Sequence, residues 1–385
     1  MTFLIYLDNA ATTYPKPQSV LMASSKANQY SANPGRSGYK LSLNASEVLF
    51  NCRQKAADFF NLPNVENCIL TPSCTVSLNT VIYGTLKQGD HVVISSLEHN
   101  SVLRPVKKLS DKGIITYDVA EVFEGDDDST VDSFRKCMNN KTRLVVCTHA
   151  SNVFGIKLPV KRIAALCKYY GVLFCLDAAQ SAGVVPIDVT DINADYICVP
   201  GHKGLYGVMG TGLLLINSEI LPESLYQGGT GSSTLDFSEP LLLPDKFESG
   251  TVNLSGFAGL IKGMDFVNSK GIEKIYTHEL SLIRNIYRKL KLIKGVNLYT
   301  SLPDETFAPL LSFNISDKDP NTVAAILDKK YGICVRSGFH CSPLAHKYMG
   351  TGDMGTIRVC PSAFTSQKEA DALINAVYQI SLSKK

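Results

Sequence analysis

The chain has 385 residues, of which 45% are hydrophobic and 19% are charged, the composition of an ordinary globular protein long enough for two domains. A formal net charge of +3 is too small to indicate binding to nucleic acid or to an anionic membrane. No apolar run approaches the roughly 20 residues that a membrane-spanning helix needs, and the first residues, MTFLIYLD, lack the basic start of a signal peptide. We therefore expect a cytoplasmic protein with no membrane or nucleic-acid partner.

The eleven cysteines are scattered through the chain, mostly inside apolar runs, and none forms a Cys-x-x-Cys pair. This distribution argues against a zinc ribbon and against a disulfide framework. Buried free thiols in a reducing compartment are the simpler explanation, and we expect no metal site.

From about residue 45 to residue 220, short β-branched runs alternate with segments of helical periodicity. The predicted strands are residues 68–71, 91–95, 114–119, 144–148, 172–177, 196–199 and 211–216. The predicted helices between them are residues 46–61, 75–86, 101–112 and 160–170. This alternation indicates an α/β fold with a largely parallel, doubly wound sheet. Ligands of such sheets bind at the carboxyl ends of the strands.

A glycine-rich stretch at residues 228–233, GGTGSS, interrupts this alternation. Two helices follow, from residue 256 to 268 and on to residue 294, and a smaller α+β unit ends the chain. Its strands are predicted at residues 310–315, 333–336 and 356–360. We therefore expect an N-terminal segment that packs with the small domain (1–15), a large domain (16–255) and a small C-terminal domain (256–385).

Lys203 is the residue at which a candidate site first becomes visible. It follows a predicted buried strand and lies in a glycine-flanked turn, Pro-Gly-His-Lys-Gly. Lysines avoid such places unless they are solvated or used chemically. A desolvated amine next to His202 could form a Schiff base with a carbonyl cofactor; a surface lysine in a tight turn is the alternative.

Other polar residues follow the ends of neighbouring strands. The Asp177 carboxylate could keep the nitrogen of a pyridine-type ring protonated, although it could also cap the next helix. Residues 71–75, TPSCT, begin a helix whose amides and hydroxyls suit a phosphate, although N-capping by Ser73 or Thr75 explains the same residues. His99 and Asn152 also follow strands directly. Together these residues predict a pocket at the strand ends.

Six segments of the chain resemble signature segments of the class V aminotransferase family. They are residues 6–12 (YLDNAAT), 149–155 (HASNVFG), 176–181 (LDAAQS), 200–203 (PGHK), 247–251 (FESGT) and 335–341 (VRSGFHC). The similarity is greatest to the cysteine desulfurases, in particular the SufS-like (type II) branch that includes selenocysteine lyases. It implies a fold-type-I enzyme dependent on pyridoxal 5′-phosphate (PLP), with a mainly parallel seven-stranded sheet in its large domain. It also implies a homodimer whose active sites lie at the subunit interface.

The resemblance implies how the pocket would bind PLP. Lys203 would carry PLP as a Schiff base, Asp177 would pair with the ring nitrogen, and His99 would stack on the ring. The remaining residues implied to contact PLP are Gln180 and Asn152 near the ring and Cys74, Thr75, His202 and, from the other subunit, Thr251 around the phosphate. Cys74 and Val76 depart from the family pattern, which alters the side chains of the phosphate turn while its backbone cradle should survive.

The resemblance also implies where the carboxylate of an amino-acid substrate would bind. Asn152 and Arg358 would contact it, with Arg336 nearby. A guanidinium suits this task because its planar fork matches a carboxylate in a bidentate geometry.

Cys341 is the residue that distinguishes between the reactions open to such an enzyme. It lies in a Gly-Phe-His-Cys-Ser-Pro loop, beside His340 and close in sequence to Arg336, a setting that favours a reactive thiolate. One more inert buried cysteine is the alternative. The cysteine loop is short, because Arg358 follows soon after it, and in the family a short loop is typical of the SufS-like branch.

The function we expect is that of a PLP-dependent cysteine desulfurase. It would convert L-cysteine to L-alanine, with Lys203 as the base and with a persulfide formed on Cys341 for a sulfur-acceptor protein, for example in iron–sulfur cluster assembly. The alternatives are a selenocysteine lyase acting on L-selenocysteine, or another class V enzyme such as an aminotransferase or an epimerase. A catalytically idle binding protein is a third, weaker alternative, because every expected catalytic position is occupied.

Overall fold

A computed structural model describes residues 4–34, 37–230 and 235–383 of the chain. Its strands are β1 (Ile5–Tyr6), β2 (Cys68–Thr71), β3 (His91–Ser95), β4 (Thr116–Ala120), β5 (Thr142–Thr148), β6 (Leu173–Asp177), β7 (Tyr196–Pro200), β8 (Gly212–Ile216), β9 (Val296–Leu298), β10 (Leu311–Ile315), β11 (Ile333–Cys334), β12 (Arg336–Gly338) and β13 (Thr356–Val359). Its α-helices are α1 (Gln18–Tyr30), α2 (Lys40–Phe60), α3 (Cys74–Thr85), α4 (Asn100–Asp111), α5 (Asp127–Cys137), α6 (Val160–Tyr170), α7 (Val189–Ile192), α8 (Leu254–Lys270), α9 (Ile272–Leu290), α10 (Pro320–Tyr331), α11 (Pro343–Tyr348) and α12 (Gln367–Leu382). Residues 231–233 of the predicted glycine-rich stretch lie outside the described residues, as do the ends of the predicted domains at residues 1–3 and 384–385.

The described residues include a seven-stranded sheet in the order β2–β8–β7–β6–β5–β3–β4. The pairs among β3, β4, β5, β6 and β7 are parallel, whereas β8 is antiparallel to both of its neighbours. The strands β6, β7 and β8 are buried along their whole length, as is typical of a sheet covered on both faces. The predicted α/β architecture with a mainly parallel sheet is confirmed.

Predicted and observed strand bounds in this sheet agree closely. The strands predicted at residues 68–71 and 91–95 coincide with β2 and β3. The strand predicted to begin at residue 114 begins instead at Thr116. The reason is local: the Ile114 amide donates to the Leu109 carbonyl (3.1 Å), so Ile114 still belongs to the turn that ends α4.

A smaller antiparallel sheet, in the order β12–β13–β10–β9, lies in the C-terminal part of the chain. Its apolar side chains form one core with those of α9, α10 and α12. The sequence predicts a single strand at residues 333–336, and this is wrong. Ile333–Cys334 pairs in parallel with β1, whereas Arg336–Gly338 pairs antiparallel with β13, so the strand divides where it changes partner.

The N-terminal segment and α8 each connect parts of the fold. β1 pairs with β11, and Leu7 lies in the core of the smaller sheet. Phe257, Leu260 and Met264 of α8 belong to a core formed with the large sheet. The division of the chain at residues 15 and 255 stays a prediction.

The described part of the chain contains no helix that is both long enough and apolar enough to cross a membrane.

Gly263 provides a test of how α8 positions the turn that carries Lys203. A Cβ at this position would overlap the carbonyl oxygen of Leu205 and the amide of Gly207, and neither backbone atom can move without moving the turn. We expect Gly263→Ala to lower the free energy of unfolding by about 1–3 kcal/mol, the usual cost of overpacking, as measured by urea unfolding. Gly38→Ala is the control because a Cβ there meets nothing within 4 Å. Equal stability of the two variants would contradict this account.

Candidate active site

The carboxyl ends of three neighbouring parallel strands line one cavity. Thr148 ends β5, Asp177 ends β6 and Pro200 ends β7. The residues predicted to bind PLP or substrate that line this cavity are Cys74, Thr75, His99, Asn152, Asp177, Gln180, His202 and Lys203. The structure therefore brings these residues together, and their individual roles stay predictions.

Lys203 lies in the turn that follows β7, and hydrogen bonds fix its backbone. Its carbonyl accepts from the Tyr206 amide (2.8 Å) and from the Thr13 hydroxyl (3.1 Å). Burial lowers the pKa of the Lys203 amine, and the neighbouring Asp177 carboxylate partly offsets that effect. A lysine with a lowered pKa loses its proton more easily and is therefore a better nucleophile and base.

The peptide that precedes Lys203 is bound by residues 12–16, at the end of the N-terminal segment and the start of the predicted large domain. The His202 carbonyl accepts hydrogen bonds from Thr12 Oγ1 (3.0 Å), Lys16 Nζ (2.7 Å) and both the amide and the hydroxyl of Thr13 (3.2 Å each). Because three side chains and an amide of this short segment converge on one carbonyl, the segment fixes the orientation of the lysine-bearing turn.

Asp177 is 2% exposed and its carboxylate has two donors nearby. Its Oδ1 accepts from the Ala179 amide (2.9 Å) and from the Cys74 thiol (3.5 Å). Burial raises the pKa of Asp177, while the Ala179 amide and the Lys203 amine act in the opposite direction. A positive ring nitrogen close to Asp177 would further favour its ionised form.

The turn before α3 combines N-capping with free hydrogen-bond donors. The Ser73 hydroxyl accepts a hydrogen bond from the Val76 amide (3.2 Å). This is the N-capping bond that the sequence offered as the alternative to a phosphate site. The amides of Cys74 and Thr75 donate to no other described residue. The Thr75 hydroxyl is 2.8 Å from the hydroxyl of Ser101 on α4. This helix N-terminus therefore keeps donors available for an anion.

Two histidines of the cavity are neutral at neutral pH. Burial lowers the pKa of His99 to about 4 and that of His202 to about 4, and Lys203 acts in the same direction on both. His99 Nδ1 accepts from the Ser101 amide (3.0 Å), so His99 caps α4 with its ring. The buried Nδ1 of His202 has no partner among the described residues.

Cys341 is exposed and lies in a strained loop next to the cavity. His340 and Cys341 have φ values of 52° and 58°, in the left-handed region that residues with a side chain seldom adopt. Asn152 donates to the His340 carbonyl (2.7 Å) and accepts from the Ser342 hydroxyl (2.6 Å). The Asn100 amide donates to the Cys341 carbonyl (2.7 Å). The loop is therefore fixed on both sides of its cysteine.

Two arginines lie beside this loop because their strands are neighbours. Arg336 and Arg358 are directly opposite each other in the β12–β13 pair. Arg336 Nη2 is 3.8 Å from Cys341 Sγ. Arg358 is 1% exposed, and it donates to the Asn152 carbonyl (2.8 Å) and to Asp8 Oδ1 (2.7 Å). The predicted carboxylate-binding arginines are thus close to the predicted nucleophile.

Gln180 and Thr251 differ in their surroundings, because Gln180 lines the cavity of Lys203 whereas Thr251 does not. Gln180 Nε2 donates to the Ala10 carbonyl (3.1 Å). Thr251 is exposed and lines a second cavity with Tyr226 and Phe247, apart from Thr75 and His202. Its predicted contact is with the other subunit of a dimer, so the position of Thr251 in one chain leaves that prediction open.

Sequence reasoning missed two residues that support the site. Asp8 forms an ion pair with Arg358, and it lies within residues 6–12, a segment that resembles the family without indicating a role for its aspartate. Glu98 precedes His99 and is fully buried; its Oε1 accepts from the Ser95 hydroxyl and from the Thr148 amide (2.8 Å). The sequence did contain a signal for Glu98, because its carboxylate closely follows a strand of mostly apolar residues.

Glu98 predicts a specific dependence of stability on pH. Burial raises its pKa from 4.5 to about 8. A raised pKa of this kind contributes stability that is complete below pH 4.5 and is lost between pH 4.5 and about pH 8, because over this range the unfolded chain releases the proton while the folded protein keeps it. We expect Glu98→Gln, which stays neutral, to gain about 3–5 kcal/mol relative to the native chain between about pH 5 and about pH 9.

Urea unfolding of the native chain and of Glu98→Gln at both pH values measures this difference. The introduced glutamine retains an oxygen that can accept from Ser95 and Thr148, so the variant tests the charge rather than the hydrogen bonds. A stability difference that does not change with pH would show that Glu98 is ionised in the folded protein.

Comparison with known proteins agrees with this geometry. Residues 5–373 match the model of the family described as aminotransferase class-V. A probable cysteine desulfurase of Methanothermobacter thermautotrophicus is 36% identical, over 98% of this chain and 94% of the relative. The apo structure of cysteine desulfurase from Thermococcus onnurineus NA1 superposes with a TM-score of 0.90 at 31% identity, covering 98% of this chain and 94% of that one. Cysteine desulfurase CsdA from Escherichia coli gives 0.87 at 25% identity, with the same coverage. The chain therefore belongs to the class-V aminotransferase family and groups with its cysteine desulfurases.

Proposed function

We propose that this protein is a PLP-dependent cysteine desulfurase, which converts L-cysteine to L-alanine and leaves the sulfur on Cys341 as a persulfide. One observation carries the proposal. The loop that carries the exposed Cys341 is bound, through the hydrogen bonds of Asn152 to His340 and Ser342, to the cavity that contains the buried pair Lys203 and Asp177. An amine and a carboxylate with shifted pKa values serve proton chemistry, and an exposed thiol beside Arg336 serves sulfur chemistry.

The residues of the cavity fit PLP. The unpartnered Nδ1 of His202 and the free amides at the start of α3 suit a phosphate, which Cys74, Thr75 and His202 would bind. Asp177 would bind the ring nitrogen, Gln180 and the neutral His99 would contact the ring, and Lys203 would carry the cofactor. When bound, PLP withdraws electrons from an attached amino acid and makes its Cα proton acidic.

The protein's own residues would then orient the substrate and move protons. Arg358 and Arg336 would bind the substrate carboxylate, with Asn152 fixing the position of Arg358. Lys203 would take the Cα proton, because its lowered pKa makes the neutral amine available. The ion pair with Asp8 keeps Arg358 charged and in place within a buried setting.

Cys341 would receive the sulfur. Its thiolate bonds to the sulfur of L-cysteine as the carbon–sulfur bond breaks, so cysteine plus the Cys341 thiol gives alanine plus the Cys341 persulfide, with atoms and electrons balanced. Exposure of Cys341 would allow a sulfur-acceptor protein to take the terminal sulfur, as iron–sulfur cluster assembly requires. All eleven cysteines are free thiols, which supports a reducing compartment such as the cytoplasm.

Apolar residues outside the core support a homodimer with shared active sites. Leu235 (96%), Phe237 (108%), Leu241 (79%) and Leu242 (81%) are almost fully exposed in the single chain. So much exposed apolar surface in one stretch marks an interface. The exposed Thr251 follows this stretch, which supports the expectation that it completes the phosphate site of a partner subunit.

Light scattering tests the dimer. We expect a mass of two chains of 41.9 kDa for the native protein, and of one chain for the double variant Leu241→Asp and Leu242→Asp, because charges would have to be buried in the interface. Leu292→Asp, at a leucine that is 86% exposed after α9, is the control and should remain dimeric. A native protein with the mass of one chain would contradict the proposal.

Replacement of Cys341 tests the desulfurase. We expect Cys341→Ser to keep the visible absorbance of bound PLP and to lose at least about 100-fold in alanine formation from L-cysteine, because the hydroxyl is a much poorer nucleophile than the thiolate. Lys203→Ala should lose both the absorbance and the activity. Cys137→Ser, at a half-buried cysteine of α5, is the control for thiol removal.

The outcome that would refute this assignment is undiminished alanine formation from L-cysteine by Cys341→Ser. The same assay with L-selenocysteine separates the alternatives. A selenocysteine lyase would process that substrate with Cys341→Ser as well as with the native chain and would form little alanine from L-cysteine.

A further inference from the structure

Glu279 is a buried carboxyl group that the proposed reaction leaves unused. It lies on α9, whose other buried side chains, among them Leu280 and Ile283, are apolar, and it is 3% exposed. Within the described residues, burial alone shifts the pKa of its carboxyl group, and no hydrogen bond or charged neighbour contributes. A buried carboxylate without partners is among the most costly groups in a protein interior. Its presence at this position therefore requires an explanation.

A small cavity connects the surroundings of Glu279 to Lys203. The cavity measures about 30 Å³ and is lined by both residues. A space of this size has room for one or two water molecules where polar groups are available as partners. Thr13 and Asn9 of the N-terminal segment also line it. Glu279 and Lys203 therefore border one space in which water can lie.

Among the titratable groups that line the cavity, the pKa shifts distinguish Glu279 and Lys203 from the others. Burial raises the pKa of Tyr206 and of Cys360 far above neutrality, so both keep their protons. Burial alone raises the pKa of Glu279 well above its usual range, while burial lowers that of Lys203. The two shifts bring a carboxyl group and an amine towards equal proton affinity, the condition under which protons exchange most readily.

The proposed function, on which this inference rests, creates a need for a second proton. Removal of sulfur from cysteine takes a proton from Cα, returns one to Cα and adds one to Cβ. Lys203 can return the proton it removed, and the additional proton originates from the thiol groups. A group that exchanges protons with Lys203 would allow the lysine to be reloaded between the two steps.

We propose that Glu279 exchanges protons with Lys203 through water in this cavity. In the reloading step the Glu279 carboxyl gives its proton to water, water gives one to the neutral Lys203 amine, and a carboxylate and an ammonium result. No electrons are transferred. The two thiols release one proton to solvent as they form the persulfide, and the carboxylate regains one proton from solvent before the next turnover, so that each cycle balances. Glu279 touches neither substrate nor cofactor and acts only through Lys203. Its role is therefore that of a positioning residue, which keeps a proton available to the lysine.

The test compares Glu279→Gln, which has the same shape and no acidic proton, with Glu279→Asp, which keeps a carboxyl group. Glu273→Gln is the matched control, because Glu273 lies on the same helix in solvent. In the protein without PLP, infrared difference spectra should show the carbonyl stretch of a protonated carboxyl group at neutral pH. Because Glu98 is also protonated at neutral pH, the band should lose part of its intensity in Glu279→Gln, seen as a negative peak when the native spectrum is subtracted, and should be unchanged in Glu273→Gln. A band of native intensity in Glu279→Gln would overturn the proposal.

The second measurement is alanine formation from L-cysteine in D₂O. We expect Glu279→Gln to lower kcat by about tenfold, less than the loss of a direct acid–base group, with KM unchanged. Deuterium at Cα of the alanine should fall by about threefold, because Lys203 then returns its own proton more often. Glu279→Asp should recover part of both effects, and Glu273→Gln should match the native chain.

Deuterium content distinguishes a relay from a structural role, since general damage slows turnover without changing this ratio. Native deuterium content and kcat in Glu279→Gln would overturn the proposal, as would equal loss of PLP absorbance in the Gln and Asp variants. Failure of the proposed function would look different, because then even the native chain would form no alanine from L-cysteine.

Discussion

The site depends on an amine and a carboxylate that lie together at the apolar edge of a buried sheet. Burial disfavours the charged form of each group, and Asp177 is 2% exposed. The surrounding structure compensates: the Ala179 amide and the Cys74 thiol donate to Asp177, and Asp177 in turn favours the charged form of Lys203. Because each group stabilises the charge of the other, the end of β6, which carries Asp177, and the turn after β7, which carries Lys203, must remain next to each other. The N-terminal segment, through its bonds to the His202 carbonyl, fixes the same turn from outside the sheet.

A short series of hydrogen bonds joins this pair to the cysteine loop of the C-terminal unit. Asn152, beyond the end of β5, binds both neighbours of Cys341 with its side chain and Arg358 with its carbonyl. Arg358 continues to Asp8. Elements from three regions of the chain therefore position one thiol, and the loop can keep two residues at positive φ. Local strain of this kind persists only where the surroundings determine the conformation.

The sequence predicts those parts of the site that follow from local rules. Lys203, Asp177 and Asn152 each follow a strand, and parallel strands end at one edge of a sheet, so their convergence could be inferred without coordinates. The Asp8–Arg358 pair joins residues 350 positions apart, and no local pattern indicates such a contact. Glu279 occupies a polar position in a helical pattern, and only the packing of α9 shows that it is buried. The division of β11 from β12 likewise depends on which strands lie beside them.

The two halves of the proposed chemistry require opposite environments, and the fold separates them by depth. Proton exchange near Lys203 benefits from burial, since desolvation brings the proton affinities of an amine and a carboxyl group together. Transfer of sulfur to another protein requires access, and Cys341 is exposed. Burial raises the pKa of the Cys74 thiol well above its usual range, so a deeply buried cysteine holds little thiolate. Exposure beside Arg336 therefore serves both the reactivity of the thiol and the delivery of its sulfur, while Asn152 binds the cysteine loop to the cavity of the buried pair.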